Sequence, residues 1–503
     1  MKTKLLAFLI IIQFNVFAQA PAIEWQKSFG GSNMDIALSV IQSNDGGYMT
    51  VGYTYSNDGQ VTGAHGLADA WVVKSDAAGT TQWQRAYGGS GSDLASSIVQ
   101  TADLGYIVCG SSESTDGDLT TNHGLSDSWV IKINSTGDVQ WQKTYGGSEM
   151  DSAYEIWQTP DLGYVFVGYT GSADFDVLGQ HGARDAWVVK INAAGIIENQ
   201  KALGGTNFEY GTSMALTSDG GYIVTGSTGS TDGDITNNNG GVDYWVVKLS
   251  SSLQIDWQKT FGGIYNETAL GIQQTTEGGY VLIGEWEDTF ETIKSCVIKV
   301  DATGEMEWQR LLGGSVLDQG GDIKQPADGG YITANQTYSN DGDVTGNHGE
   351  LDMWVVKLNN NGTIQWQKAL GSSLNDLCTS INQTAEGGYI VSGVSSINNG
   401  DVTVNHGQED FWVVKLAADP LATKDFDENV LTIYPNPVND VLHLQLPDQA
   451  QIDKVIITDT TGKQIFEQST GNAEVNVENL ASGVYFIKAT ANSKELVAKF
   501  VKQ

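Results

Sequence analysis

The chain has 503 residues, of which 61 are glycine, 7 are proline and 40% are hydrophobic. That hydrophobic share, with 14 Trp and 19 Tyr, excludes a disordered low-complexity chain and is enough for a large core and more than one domain. The formal net charge of −34 excludes nucleic acid and an anionic membrane surface as partners, because both require Lys and Arg against phosphate; it fits solubility or a surface that takes cations.

In chain order, Met1-Lys2-Thr3-Lys4 is followed by the apolar run Leu5 to Ile12 and by Val16-Phe17-Ala18. A charged, an apolar and a small-residue segment in this order predict a signal peptide over residues 1–18. Cleavage is expected after Ala18, since a cut after Ala20 would place Pro21 directly behind the scissile bond. The run is shorter than the about 20 residues of a spanning helix. No other stretch is long and apolar enough, so the mature chain is expected to have no transmembrane segment.

Trp25-Gln26-Lys27-Ser28-Phe29-Gly30-Gly31 opens a repeat. It returns as WQRAYGG at 83, WQKTYGG at 141, NQKALGG at 199, WQKTFGG at 257, WQRLLGG at 308 and WQKALGS at 366, at intervals of 58 residues except for one of 51. The first unit reads as four short strands: Ala37 to Gln42, Tyr48 to Tyr55, Ala70 to Lys74 and Thr81 to Ala86. Asp45-Gly46-Gly47 and Ala77-Ala78-Gly79 are turns, and Ser56 to Asp69 is a longer polar loop. Short antiparallel strands repeated in this way predict a β-propeller. The first element, Ile23 to Ser28, is a fourth-type strand with no partners before it, whereas the last unit stops after its third strand, Phe411 to Leu416. The two incomplete ends complement each other. An all-β, seven-bladed propeller over residues 23–416, closed by the N-terminal strand, is therefore expected over a solenoid with capped ends.

All Trp except Trp157 and Trp286 fall in two series, the WQK and WVVK slots. They are expected to fill space between blades rather than to form sugar platforms. Cys109, Cys296 and Cys378 lie in different units and are expected as free buried thiols; Cys296 takes a WVVK Trp slot.

The polar loops carry aligned columns. Before the WVVK Trp lie Asp58, Asp116, Asp174, Asp232, Asp341 and Asn399, then Gln60, Asp118, Asp176, Asp234, Asp343 and Asp401. Next come His65, His123, His181, Asn239, His348 and His406, then Asp69, Asp127, Asp185, Asp243, Asp352 and Asp410. The Asp-Gly-Asp turns offer oxygen ligands to a hard cation, which makes Asp116, Asp118, Asp232, Asp234, Asp341 and Asp343 calcium candidates. They lack the rest of a D-x-D-x-D-G loop, and repetition favours loop scaffolding by hydrogen bonds to backbone. A further acid follows each Gly-Gly: Asp35, Asp93, Asp151, Glu209, Glu267, Asp318 and Asp376. It is expected either to form an acidic ring at the mouth of a central channel or to make turn and inter-blade hydrogen bonds. The fifth unit is 7 residues shorter, carries Lys294 in place of the last Asp, and breaks the pattern with Glu285, Trp286, Glu287, Asp288 and Glu291. The chain shows no arginine cluster, G-x-S-x-G elbow, phosphate loop or H-E-x-x-H. No catalytic residue and no established cofactor is assigned.

Residues 417–429 break the repeat and read as a linker, and residues 430–503 read as a small immunoglobulin-like β-sandwich of about seven strands. Within it lie Tyr434-Pro435-Asn436-Pro437, Asp459-Thr460-Thr461-Gly462-Lys463 and Leu480-Ala481-Ser482-Gly483-Val484-Tyr485, with a basic end at Lys494, Lys499 and Lys502. This stretch resembles the type A C-terminal sorting domain of type IX secretion in Bacteroidota. The resemblance rests on Tyr434, Pro435, Asn436, Pro437, Gly462, Lys463, Gly483 and Tyr485. It implies export to the periplasm, passage through the outer membrane by the type IX machinery, and a secreted or cell-surface destination. The repeats resemble propeller repeats of such secreted proteins, and that resemblance implies no activity. The expected function is a binding or interaction module for a glycan or surface-protein ligand. The alternative is a polysaccharide-active or other hydrolytic enzyme with its site near the fifth blade.

Overall fold

The computed structural model describes residues 18–119, 121–289, 292–419, 431–445, 452–459, 463–469, 473–491 and 494–503. Most of the signal peptide, most of the linker, Glu291 and Gly462 lie outside these residues. The chain divides into two compact units between Pro420 and Leu421.

The first unit is all-β. It contains seven four-stranded antiparallel sheets, and their strands are labelled a to d in each. In sheet 1 these are Asp35–Gln42, Tyr48–Thr54, Asp69–Ser75 and Thr81–Tyr87. Strands b and c are rich in Val, Ile, Trp and Tyr, which suit a pleated buried surface. Strand c of sheet 1 is buried along its whole length. Sheet 7 is assembled from both ends of the unit: Asp376–Gln383, Tyr389–Ser395 and Asp410–Leu416 are joined by Ile23–Phe29. In that pairing Gln26 faces Val414, Ser28 faces Trp412 and Phe29 faces Phe411. Sheets 7 and 1 are also bonded directly, with Asn382 Nδ2 donating to Val40 O at 2.8 Å and Ala385 N to Gln42 Oε1 at 2.7 Å.

The two Trp series differ in burial. The WVVK tryptophans are among the largest fully buried side chains. Each donates its indole N–H to the Gln of the adjacent WQK strand, as Trp71 does to Gln84 at 2.7 Å and Trp412 to Gln26 at 2.8 Å. The WQK tryptophans are half-buried apart from Trp366. They pack on a strand-b Tyr of the following sheet, as Trp25 does on Tyr48 at 5.4 Å and Trp141 on Tyr164 at 5.9 Å. Cys109, Cys296 and Cys378 are free and buried, as expected. Burial pushes the Cys296 thiol up to about 12. Its sulfur takes the Gln309 amide at 3.3 Å, the place a Trp indole holds elsewhere.

The second unit has two sheets. One orders Thr432–Tyr434, Val441–Gln445 and Glu474–Asn476; the other orders Gln464–Ser469, Lys454–Asp459, Gly483–Ala491 and Lys494–Lys502. Leu442, Leu444 and Val475 of the first sheet and Val455, Ile457, Ile487 and Phe500 of the second belong to one core. Among the described residues no helix is long and apolar enough to cross a membrane.

Candidate functional site

The loop columns scaffold the loops. The first Asp column accepts the backbone N–H two residues after the first glycine of Gly-Gly: Asp116 from Ser90 at 2.7 Å, Asp232 from Thr206 at 2.8 Å and Asp341 from Ser315 at 2.6 Å. Asp118 accepts from Gly88 N at 3.2 Å and Asp234 from Gly204 N at 3.3 Å, while Asp343 pairs with Arg310 at 3.2 Å. Four histidine rings clamp the last Asp of their loops. His123 Nδ1 lies 2.8 Å from Asp127 Oδ2, and the same oxygen takes the His123 backbone N–H at 2.8 Å. His181 and His348 repeat this with Asp185 and Asp352, each at 2.7 Å. Among the described residues no group of three or more His, Cys, Asp or Glu is gathered for a metal ion.

The acids after Gly-Gly do not form an open ring. Asp35, Asp93, Asp151, Glu209, Glu267, Asp318 and Asp376 are all fully buried. Each takes the second-glycine position's N–H, as Asp35 does from Gly31 at 2.8 Å and Asp376 from Ser372 at 2.6 Å. Six of the seven also meet the last acid of the preceding sheet across a glycine. The pairs are Asp410 with Asp35, Asp69 with Asp93, Asp127 with Asp151, Asp185 with Glu209, Asp243 with Glu267, and Asp352 with Asp376. In the remaining junction Lys294 faces Asp318 at 3.4 Å. Burial, opposed in part by hydrogen bonds and aided by the facing acid, pushes Glu267 up to about 7 and Asp376 up to about 6.

A second set of residues that departs from the repeat lines one cavity. Strand a carries a bulge in every sheet, at Leu38 in sheet 1 and Tyr154 in sheet 3. The extra residue has no ladder partner, and a bulge re-aims its side chain. The strands a of all seven sheets contribute to a cavity of about 200 Å³, whose lining includes Leu38, Ser96, Tyr154, Thr212, Leu270, Gly321 and Thr379. One column of strand a reads Ser39, Ser97, Glu155, Ser213, Gly271, Asp322 and Ser380, and all but Gly271 line the cavity. Two carboxylates therefore stand where the other sheets carry Ser or Gly. Glu155 Oε2 accepts Ser213 Oγ and Met214 N, both at 2.7 Å, and the Trp157 indole lies 3.2 Å from Oε1. Asp322 accepts Ile381 N at 3.1 Å and pairs with Lys324 Nζ at 2.6 Å. Burial raises the Glu155 carboxyl, with Lys324 opposing and Asp322 adding to the rise. Lys324 has one hydrogen bond among the described residues and spare donors toward the cavity.

Of these, only Trp157 stands out when the Trp series are counted. Glu155, Asp322 and Lys324 lie in strand a, where alternation reads as packing; the signal that finds them is a column-by-column comparison of the strand against its own repeats. In the fifth sheet, Tyr280–Thr289 and Thr292–Val300 form a longer hairpin that replaces the polar loop. There Trp286 packs on Tyr244 at 5.8 Å, Glu285 takes the Gln319 amide at 2.7 Å, and Glu287 accepts the Asn266 backbone and side-chain N–H at 3.2 Å.

In the second unit the motif residues tie strands together. Asn436 Nδ2 donates to Lys499 O at 3.1 Å and Asn436 Oδ1 accepts Val501 N at 2.9 Å. Tyr434 stacks on His443 at 5.2 Å, and Pro435 and Pro437 follow cis peptide bonds. Lys463 N donates to Asp459 at 3.1 Å. Tyr485, two residues after Gly483, donates to Ala481 O at 2.9 Å and stacks on Phe500 at 5.6 Å. Residues 432–503 match the family described as the secretion system C-terminal sorting domain. They are a type IX sorting domain. The chain is thus exported, to the cell surface or beyond it, and the sorting domain implies an interaction with the type IX machinery. A search of curated proteins finds no match to the sequence. Among solved structures the chain is similar to PorZ, a surface component of the type IX secretion system of Porphyromonas gingivalis, with 14% identity and a TM-score of 0.40 over 94% of this chain and 60% of that one. It is also similar to the WD40 domain of Neurospora crassa Pan2, with 10% identity, a TM-score of 0.41 and coverage of 78% and 90%. Drosophila Semaphorin 2a gives 8% identity, a TM-score of 0.44 and coverage of 97% and 98%. The chain spans 60% of the length of PorZ.

Proposed function

We propose that the first unit is a closed seven-bladed propeller displayed outside the cell as a binding module, and that its ligand docks at the central cavity. One observation carries this reading: charged side chains occur in a cavity lined by all seven strands a, yet in only two of the sheets, at Glu155 and at Asp322 with Lys324. A sevenfold scaffold needs no such asymmetry, whereas a ligand site is needed once. The cavity, about 200 Å³, is smaller than the about 300–1,000 Å³ typical of ligand pockets. It suits a terminus rather than a whole ligand: the end of a glycan seated on Tyr154 and Trp157, or the tip of a surface-protein loop. Lys324, Asp322 and Glu155 supply a donor and acceptors for hydroxyl or amide groups.

The test is a glycan array and a pull-down from outer-membrane extracts with the intact chain and with Lys324→Met and Tyr154→Ala. Retained ligands should be lost at least tenfold in both variants, compared at a temperature at which circular dichroism shows both to be folded. Undiminished binding in both variants rejects the cavity as the site. A hydrolase screen that finds turnover abolished by Glu287→Ala, with no retained ligand, would replace this reading with an enzyme at the fifth blade.

A further inference from the structure

The carboxylate pairs at the sheet junctions are built as sites. In each pair the acid of strand c has one oxygen held and the other beside the glycine that it shares with its partner. Asp127 Oδ2 takes two hydrogen bonds from His123, whereas Asp127 Oδ1 is buried with no hydrogen-bond donor among the described residues. The same oxygen is without a donor in all six strand-c acids of this column. These six side chains are at most 1% exposed. Burying an acceptor unpartnered is costly, and a native fold repeating that cost six times has something that meets it. The intervening glycine lets the two carboxylates approach the same stretch of backbone: a Cβ on Gly88 would fall 2.3 Å from Asp69 Oδ1 and 2.7 Å from Asp93 Oδ2, so no side chain fits between them.

The seventh junction indicates what fills that role. Lys294 replaces the strand-c acid there, and its ammonium bonds the Gly314 carbonyl, the Val316 carbonyl at 3.2 Å and Asp318 Oδ2 at 3.4 Å. A cation thus already sits among one carboxylate and two carbonyls. Exchanging a carboxylate for an ammonium adds two positive charges, which is the charge of one divalent ion. We propose that each of the six carboxylate pairs, with the carbonyls of its Gly-Gly turn, holds one divalent cation of the calcium type. The donors are all hard oxygens, as such an ion requires. In four of the six pairs a histidine ring on the other carboxylate oxygen fixes the orientation of the ligand. The ions would cement neighbouring sheets, independently of any ligand in the central cavity.

The test uses the full chain, exchanged into calcium chloride and freed of loose metal by gel filtration. Elemental analysis should find close to six calcium ions per chain, and melting should rise with calcium and fall with chelator. Asp69→Asn should bind one ion fewer. Asp118→Asn, which alters an Asp-Gly-Asp turn outside the pairs, should bind the full number, and Lys294→Asp should gain one. Fewer than one ion per chain in millimolar calcium, with an unmoved melt, overturns the proposal and leaves shared protons in the pairs. Loss of calcium in Asp118→Asn but not in Asp69→Asn overturns it in favour of the loop turns. Should Asp69→Asn fail to fold, the count in the unaltered chain and in Lys294→Asp decides.

Discussion

At the scale of single residues, the WQK Gln shows how a conserved-looking letter acquires a reason only from its partner. Within the repeat it reads as one polar position on an outer strand. In the fold it satisfies the buried indole N–H of the WVVK Trp one strand away. Gln26→Ala should therefore cost about 1–3 kcal/mol, the penalty for an orphaned buried donor. Gln309→Ala, where the partner is the Cys296 sulfur, should cost less; urea titrations of both variants measure the difference. The junction acids make a second prediction. Glu267 faces Asp243 and Glu287, and Asp376 faces Asp352; their carboxyls are raised from 4.5 to about 7 and from 3.8 to about 6. A raised folded value contributes stability at pH below the unfolded value and loses it as pH rises through the folded one. In chelator the melting temperature should fall between about pH 4 and about pH 7, and saturating calcium should abolish that fall. A melt that rises across this range in chelator would refute the assignment of raised acids.

At the scale of elements, the N-terminal strand Ile23–Phe29 does the most for the least length. It supplies the fourth strand of sheet 7, pairing residues near 25 with residues near 415. Without it the strand Asp410–Leu416 would present an unpaired apolar edge, which invites association. Phe29 is 4% exposed in a core with Trp71 and Phe411, so Phe29→Ala should cost about 3–5 kcal/mol. Deleting residues 23–29 should yield a chain that elutes as aggregate in size-exclusion chromatography. The need for a partner strand was legible in the sequence, because one end has a strand too many and the other a strand too few. The bulge in strand a was not, since a single extra residue leaves the apolar pattern nearly unchanged while turning Tyr154 and its counterparts toward the cavity.

At the scale of the whole molecule, the chain couples a repeated body to an address. Removing residues 432–503 should leave the body folded but retained in the periplasm, which cell fractionation would reveal as loss from the surface and medium. Melting of the truncated body should match that of the full chain's larger transition, since the two units have separate cores.

The sequence by itself determined the period, the strand order, the complementary ends and the sorting motifs. These are local or periodic properties, carried by alternation, turn residues and short words at fixed spacing. Only the tertiary structure decided which acids meet and which charges share a cavity. Asp69 and Asp93 belong to two columns that look equally exposed along the chain, and they become a buried pair only when one sheet docks on the next. Glu155, Asp322 and Lys324 come from distant units, and nothing in either unit points to the other. Side-chain proximity across a junction depends on how sheets are packed side by side, and that is set by the contacts between sheets rather than by any one repeat.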